Sequence, residues 1–265
     1  MRRAARGGIV VASALLALVG VAAAQTASTP IVTDRPSFTS APTVVGPGVV
    51  QIETGLTAER DTPGRNTATR FSAPNTLVRL GMSTRVELRV ETEGWISSAS
   101  GRPGRDAVSS ASDTALALEY QFTSAERRGL DLAVIAGSTV PTGGSASSGN
   151  ADPFVRLVWN RPVGAAASLG GTFNWSAPSA DSHRVRALDA SLVAGHPLWG
   201  AWSAFWEGVV QHRDLDADAA TWLANAGLQR ALGPDLQLDA WAGRGLNEVA
   251  TDWRFGAGVS WRFRR

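Results

Sequence analysis

The residues of this chain that could do chemistry are charged side chains that recur at every second position. The densest run is Arg85, Glu87, Arg89 and Glu91. Because alternate residues of a strand point to the same face, such a run lines one surface with guanidinium and carboxylate groups. These groups could set an electrostatic profile for passing solutes, or they could pair with one another and keep a wall rigid. Both functions stay open at this stage.

Other segments of the chain place charges in the same alternating way. The full set of charged residues that we assign to this common surface is Glu53, Arg85, Glu87, Arg89, Glu91, Glu119, Arg156, Glu207, Asp239 and Arg254.

No motif in the sequence predicts a metal, cofactor or catalytic site. The chain has three histidines, His183, His196 and His212, and no cysteine. None of the histidines stands at a spacing typical of metal ligands. Asp214, Asp216 and Asp218 alternate in one loop but lack the glycine and distal glutamate of a calcium-binding loop, so we interpret them as solvated. We predict that the chain is not an enzyme, with a barrel hydrolase as the less favoured alternative.

The first 24 residues have the pattern of a secretory signal peptide. Three arginines are followed by an apolar run from Ile9 to Val21 and by the small residues Ala22–Ala24. Cleavage before Gln25 would remove three of the 25 basic residues, all of them arginine, and leave 22 against 23 acidic ones, a net charge of −1. With no basic patch, nucleic acid is not expected as a partner.

Residues 25–47 form a lead-in segment before the regular part of the chain. Four prolines, Pro30, Pro36, Pro42 and Pro47, prevent helix and strand. We predict an extended segment that could fold into a lumen as a plug.

The elements that position these charges are strands, and the closing stretch Asp252–Phe263 is the clearest of them. Apolar and polar residues alternate throughout it, with large rings at both ends of the apolar face. Aromatic rings favour the two interfaces of a bilayer, so this strand is predicted to cross a membrane. An edge strand of a secreted sandwich is the alternative. A strand ending on an aromatic, Phe263, is similar to the C-terminal signal that the barrel-assembly machinery reads.

About twelve such segments follow one another over residues 48–265, and their connections alternate between short turns and longer polar loops such as 96–112, 143–150 and 177–183. This pattern predicts an all-β fold, a transmembrane antiparallel up-and-down β-barrel of about 12 strands in outer-membrane lipid.

The charged faces of these strands must point away from lipid. A spanning sheet must close on itself, and an arginine that faces lipid costs ~2–4 kcal/mol. The charged faces therefore look into the lumen. Both termini fall on the short-turn, periplasmic side.

Several motifs in this order resemble one outer-membrane transporter family. They are Thr33-Asp34-Arg35-Pro36-Ser37, Gln51-Ile52-Glu53-Thr54-Gly55 and the closing Gly258 to Phe263. The resemblance is to the family of the putative MetA pathway of phenol degradation and covers the whole chain after the signal. It implies a barrel that moves small molecules, aromatic or hydrophobic ones included, across the outer membrane. Asp34 and Arg35 match the opening motif and are expected to anchor the lead-in segment, or else to form an ordinary turn.

The function predicted from these observations is passive uptake of a small-molecule solute through the lumen, without a cofactor. The alternative is a structural or surface-binding barrel that has no through-pore.

Overall fold

The computed structural model describes residues 30–62, 67–100, 107–164, 166–180, 183–214 and 219–264. The predicted signal peptide, residues 25–29 of the lead-in segment, and Asp216 and Asp218 lie outside these residues. Within the described ranges, no helix has the length and apolar character needed to cross a membrane.

Twelve long strands make up the wall of the molecule. They are β1 (Val50–Asp61), β2 (Ala68–Gly81), β3 (Val86–Thr92), β6 (Thr114–Thr123), β7 (Asp131–Val140), β8 (Pro153–Val163), β9 (Ala167–Ser176), β12 (Ala187–Pro197), β13 (Trp202–Arg213), β14 (Thr221–Ala231), β15 (Leu236–Gly245) and β16 (Trp253–Phe263). The smaller elements are β4 (Trp95–Ser100), β5 (Val108–Ala111), the helical turn α1 (Ala125–Arg128), β10 (Ser179–Ala180) and β11 (His183–Arg184).

The sheet closes because β1 pairs with a strand on each side. Its neighbours are β2, the next strand of the chain, and β16, the last one, and both pairings are antiparallel. The other barrel strands each pair with the preceding and following barrel strand. Every wall strand therefore has two partners, as the absence of water in a bilayer requires. The predicted all-β barrel of about 12 strands is confirmed.

The two faces of the wall differ as the alternation predicts. Leu118, Phe173 and Leu192 are each half exposed on the outer surface, whereas the residues on either side of them point inward. Aromatic residues such as Trp175 and Trp222 lie at the long-loop end of the outer surface, and Trp261 lies at the other end. The outer surface is thus apolar with aromatic ends, as a bilayer selects.

The loop predicted over residues 96–112 was partly wrong. β4 continues from β3 and pairs with β2, and β5 pairs with β4, so a hairpin extends the wall at the long-loop end. The hairpin is rich in serine and alanine and lacks a strong apolar face, which is why alternation did not reveal it. Similarly, β10 and β11 form a two-residue pairing within the predicted loop 177–183.

Both ends of the barrel domain lie together. Val50 of β1 pairs with Phe263 of β16 and with Leu80 of β2. The short turns after β2, β8, β12 and β14, and the turn that contains α1, lie at this same end. The described part of the lead-in segment, residues 30–47, enters the lumen from here.

Candidate functional site: the barrel lumen

Two arginines without solvent exposure form the centre of the lumen. Arg79 projects from β2 and Arg89 from β3, and the register pairs them directly across the two strands. Buried guanidinium groups require carboxylate partners, because an unpaired buried charge is very costly. The carboxylates come from three neighbouring strands and from the lead-in segment.

Arg79 connects the wall to the lead-in segment. Its Nε donates to Glu87 at 2.7 Å, and its Nη1 lies 3.5 Å from Glu53. The same guanidinium donates to the carbonyl oxygens of Val32, at 3.2 Å, and of Thr43. One arginine side chain therefore binds both ends of the segment that crosses the lumen.

Arg89 contacts carboxylates on every side. It donates to Glu87 at 3.1 Å, to Glu119 at 2.8 Å and to Glu91 at 3.2 Å. Its fourth carboxylate partner is Asp34 of the lead-in segment. Burial would raise the pKa of Asp34, but the charges of Arg89 and Arg79 outweigh burial and hold this pKa below its ordinary value of 3.8. Asp34 is therefore ionised at neutral pH.

The network continues toward the long-loop end through Arg156. This residue of β8 donates two hydrogen bonds, of 2.9 and 3.0 Å, to the two oxygens of Glu91 on β3. Its guanidinium also lies 4.5 Å from the centre of the Phe154 ring. The pair links two parts of the wall that are separated by β6 and β7, so it bridges one part of the lumen.

Carboxylates of the wall also accept backbone N–H groups of the lead-in segment. Glu53 accepts from the amides of Asp34 and Arg35 at 2.9 and 3.0 Å. Glu207, on β13, accepts from the amides of Phe38 and Thr39 at 2.9 and 2.8 Å. The segment forms neither helix nor strand, and these carboxylates supply partners that secondary structure would otherwise give.

Further contacts of the same kind extend along the segment. Glu87 accepts from the Val45 amide at 2.8 Å, and Asp34 accepts from the Ala41 amide at 3.2 Å within the segment itself. The Oγ1 of Thr172 on β9 accepts from the Ser40 amide at 3.1 Å. The segment is thus held by hydrogen bonds from widely separated strands.

Arg35 lies against two glycines of the wall. Its guanidinium donates to both oxygens of Asp239 on β15, at 3.1 and 3.2 Å. Gly55 and Gly258 face one another across β1 and β16, and a Cβ at either position would overlap this guanidinium. The two glycines therefore make room for the arginine in the wall. Nothing in the spacing of the sequence indicates this contact.

Parts of the inner wall are apolar. Ile135 of β7 and Val158 of β8 are fully buried and pack with Phe154, Ala115 and Ala117. A second patch is formed by Val209 and Leu223 with Ala250, and Phe38 of the lead-in segment packs against it. The lumen thus combines the charged network with an apolar patch on β6–β8.

Cavities lie on both sides of the lead-in segment. One of about 350 Å³ opens toward the long-loop end, and Asp34, Arg35 and Phe38 form part of its lining. On the short-turn side, cavities of about 330 and 340 Å³ are lined by residues that include Val32 and Thr43. In this structure the segment stands between the two groups of cavities.

Nine of the ten charged residues assigned to the lumen have side chains that contact luminal partners. Arg254 is at the long-loop end, where it donates to Glu59 at 2.9 Å. Arg85 is the exception, because it lies outside β3, which begins at Val86. It belongs to the turn before that strand, in which the Ser83 hydroxyl accepts a hydrogen bond from the Val86 amide. Its side chain is exposed in that turn. What the luminal residues do for a solute stays a prediction.

Arg79 was missing from the predicted set, although it contacts both the carboxylates of the wall and the lead-in segment. Pro74 interrupts the alternation of β2, so the sequence pattern does not show clearly which of its residues share a face. The alternation of Leu77, Arg79 and Gly81 against Val78 and Leu80 was the signal that could have found it.

Within the described ranges, no three histidine or acidic side chains come together in a way that could hold a metal ion. His212 lies 3.5 Å from Asp214 near the long-loop end, and His183 is exposed in β11.

The sequence profile of the family described as "Putative MetA-pathway of phenol degradation" matches residues 33–263. A search of curated protein sequences finds no match to the chain.

Among solved structures, an outer membrane channel from Pseudomonas putida F1 is similar, with a TM-score of 0.59 and 14% sequence identity over 83% of this chain and 97% of that chain. The NanC porin has a TM-score of 0.53 and 10% identity, over 79% of this chain and 98% of that chain. These likenesses are of fold, and the two proteins are named as an outer membrane channel and as a porin.

Proposed function

The chain belongs to the family described as "Putative MetA-pathway of phenol degradation", and on that basis we propose that this outer-membrane β-barrel is a passive channel for small molecules. Its lumen would be the path and the lead-in segment a displaceable plug. Both termini would lie on the periplasmic side, because short turns mark that side in outer-membrane barrels.

One observation carries this proposal. The lead-in segment crosses a lumen that has cavities on both sides of it, and polar contacts hold most of its length. A barrel that had only a structural function would be expected to fill its interior with wall side chains. Here the interior is filled by a separate segment, joined to the wall at one end.

The contacts that hold the segment can be exchanged for water. Hydrogen bonds contribute about 0.5–1.5 kcal/mol each, and about 1.5–3 kcal/mol when one partner is charged, because water offers an alternative partner. Glu53, Glu87 and Glu207 would then accept from water in place of the segment's amides. Arg79 would keep its bond to Glu87, so the wall would stay intact while the plug moves.

The solutes would be small and uncharged or amphipathic, with aromatic compounds as the class that the family description suggests. The cavity that opens toward the long-loop end supports this, because Phe38 and Ala115 in its lining offer apolar surface on which a ring can lie. The acidic and basic side chains of the lumen would bind water, which would solvate the polar parts of the solute.

Assembly would depend on the last strand. Trp261 and Phe263 lie 4.6 Å apart between ring centres at the short-turn end of β16. We propose that the barrel-assembly machinery reads this strand, ending on Phe263, before β16 pairs with β1.

Swelling of liposomes that contain the purified protein tests the channel. An isosmotic pentose and an isosmotic phenyl glucoside, both of which cross lipid alone slowly, should each enter faster than into protein-free liposomes. If neither enters faster, the barrel is a structural or surface-binding protein with a closed lumen.

A further inference from the structure

Two arginines stand on either side of one tryptophan at the long-loop end of the barrel. The register pairs Trp253 of β16 with Arg60 of β1 on one side and with Arg244 of β15 on the other. Residues that face each other on neighbouring strands point to the same side of the sheet, so the three side chains form a row across three strands. We name Arg60, Trp253 and Arg244 the outer cationic row.

The outer cationic row belongs to the lipid side of the wall. Leu56 on β1, Phe255 on β16 and Leu238 on β15 each stand an even number of positions from the member of the row on the same strand, so they share its face. These three apolar side chains are between 41 and 48% exposed on the outer surface. The three side chains of the row are exposed as well.

The row lies at the outer boundary of the apolar band. Arg60 comes ten residues after Val50, which begins β1 at the short-turn end. At a rise of about 3.3 Å per residue and a tilt of about 40°, ten residues span a height of about 25 Å, which is the height of the apolar band of such barrels. The guanidinium groups therefore stand where hydrocarbon gives way to lipid head groups.

The carboxylates next to the row in the chain belong to the other side of the wall. Glu59 and Asp61 flank Arg60, but both line a cavity of about 400 Å³ at the mouth of the barrel, where Glu59 accepts from Arg254 at 2.9 Å. Asp252 precedes Trp253 and so takes the opposite face from it. In the part of the chain that the structure describes, neither arginine of the row forms an ion pair.

The indole holds one cation toward the other. The guanidinium of Arg244 lies 5.1 Å from the ring centre of Trp253, a cation–π distance. The ring of Phe255 stacks on Trp253, with 6.1 Å between the ring centres. Because neighbouring strands are about 4.8 Å apart, the backbones that carry the two arginines are separated by about 10 Å. Two arginine side chains can reach one anionic group across that distance.

The short-turn end offers a useful comparison. There the guanidinium of Arg230 on β14 lies 5.3 Å from the ring centre of Trp202 on β13. The residue that faces Arg230 on its other side is Leu238 of β15. One arginine beside an indole is what a bilayer interface alone selects. Two arginines beside one indole concentrate more charge than an interface requires, so the outer cationic row is suited to an anion.

We propose that the outer cationic row binds lipopolysaccharide through a phosphate group of its lipid A part. Guanidinium groups match the geometry of phosphate oxygens and donate two parallel hydrogen bonds to them. The acyl chains of the same molecule lie on Phe71 and Phe255, which both face Ala58 one step deeper in the wall. This inference rests on the orientation proposed above, in which the long loops face the cell exterior, and not on whether the lumen conducts.

Two double variants of the protein from Gln25 onward test the row. R60Q/R244Q removes both of its cations. R184Q/R186Q is the matched control, because it makes the same change of charge at the same end with two exposed arginines of other strands. These lie 3.7 Å from Asp152 and 3.3 Å from Asp214, respectively. Heat-modifiable migration shows that each variant is folded.

Binding of diphosphoryl lipid A to the detergent-solubilised proteins is measured by native mass spectrometry. R60Q/R244Q is expected to bind lipid A about tenfold or more weakly than the native protein, and R184Q/R186Q to bind it less than about twofold more weakly. Lipid A without its phosphates should bind the native protein as weakly as intact lipid A binds R60Q/R244Q. Lipopolysaccharide should co-purify from cells with the native protein and not with R60Q/R244Q.

Equal weakening in the two double variants, or none in R60Q/R244Q, would overturn the proposal, because the binding would not belong to the row. Phosphatidylglycerol that binds as tightly as lipid A would also overturn it, since the row would then accept any anionic lipid. Binding in detergent without co-purification from cells would show that the row does not face the lipopolysaccharide leaflet. Liposome swelling tests the channel separately, because the row lies outside the lumen and either proposal can fail alone.

Discussion

The guanidinium of Arg35 occupies the space that a side chain at Gly258 would need. A Cβ at Gly258 would lie 2.5 Å from Cζ of Arg35, and Gly55, which faces Gly258 across β1 and β16, is equally close. Asp239 binds the edge of the same guanidinium. The position of the lead-in segment is therefore set by a site in the wall that is shaped for one arginine.

The first prediction concerns this site. Gly258→Ala should push Arg35 away from Asp239 and weaken the hold on the lead-in segment, so the fraction of time that the channel is open should rise in bilayer recordings. Gly208→Ala is the matched control, because a Cβ there meets nothing within 4 Å. If the open fraction changes equally in both variants, the effect does not come from the contact between position 258 and Arg35, and the prediction is contradicted.

The second prediction concerns Glu207, which accepts hydrogen bonds from two amides and the hydroxyl of Thr39. Glu207→Gln removes the charge, and hydrogen bonds to charged groups contribute about 1.5–3 kcal/mol. Hydrogen exchange of the Phe38 and Thr39 amides should therefore accelerate by about tenfold or more. Glu59→Gln is the control, since Glu59 pairs with Arg254 and Arg70 outside the segment. Unchanged exchange in Glu207→Gln would contradict the proposed contacts.

The third prediction separates two arginines that lie on either side of the turn between β2 and β3. Arg79→Met leaves Glu87 without its closest partner in a buried place, and breaking a buried pair costs about 3–5 kcal/mol. Arg85→Met changes an exposed turn residue. Urea unfolding in lipid vesicles should show a large loss of stability for the first and little for the second. Similar stability of the two variants would argue against a buried network.

The fourth prediction is a pH dependence that follows from Asp34. Its pKa lies below the ordinary 3.8, so its ionised form stabilises the folded state, and this contribution is lost as pH falls through the lowered pKa. Asp34→Asn should therefore reduce the free energy of unfolding by a constant amount above about pH 5, and the difference from the native protein should vanish in stronger acid.

Asp252→Asn serves as the control for this titration, because Asp252 is exposed at the long-loop end. A difference between the native protein and Asp34→Asn that grows in acid would mean that the pKa of Asp34 is raised rather than lowered.

Strand alternation was enough to predict the barrel. Residues such as Glu87 and Arg89 stand on one face of a strand whose other face is Val86, Leu88 and Val90. In a membrane the apolar face of such a strand must point to lipid, so the charged face must point into the lumen. The β4–β5 hairpin was missed because it extends the wall at the long-loop end, where neither face needs to be apolar. Arg79 was missed because Pro74 obscures the faces of β2.

The lead-in segment was predicted only as an extended piece of chain. Its partners could not be found from sequence, because Arg35 and Asp239 are 204 positions apart. The segment is also held largely through backbone amides, which carry no sequence signal of their own. The expectation that Asp34 and Arg35 anchor the segment came from a resemblance to a family and not from any spacing.

Single-channel recording in planar bilayers, of the protein from Gln25 onward and of the same protein without residues 25–47, tests the central claim most directly. The plugged channel predicts rare or small openings for the first protein and steady, larger conductance for the second. Silence from both, with each shown to be folded by its heat-modifiable migration, would contradict the claim that this barrel is a channel.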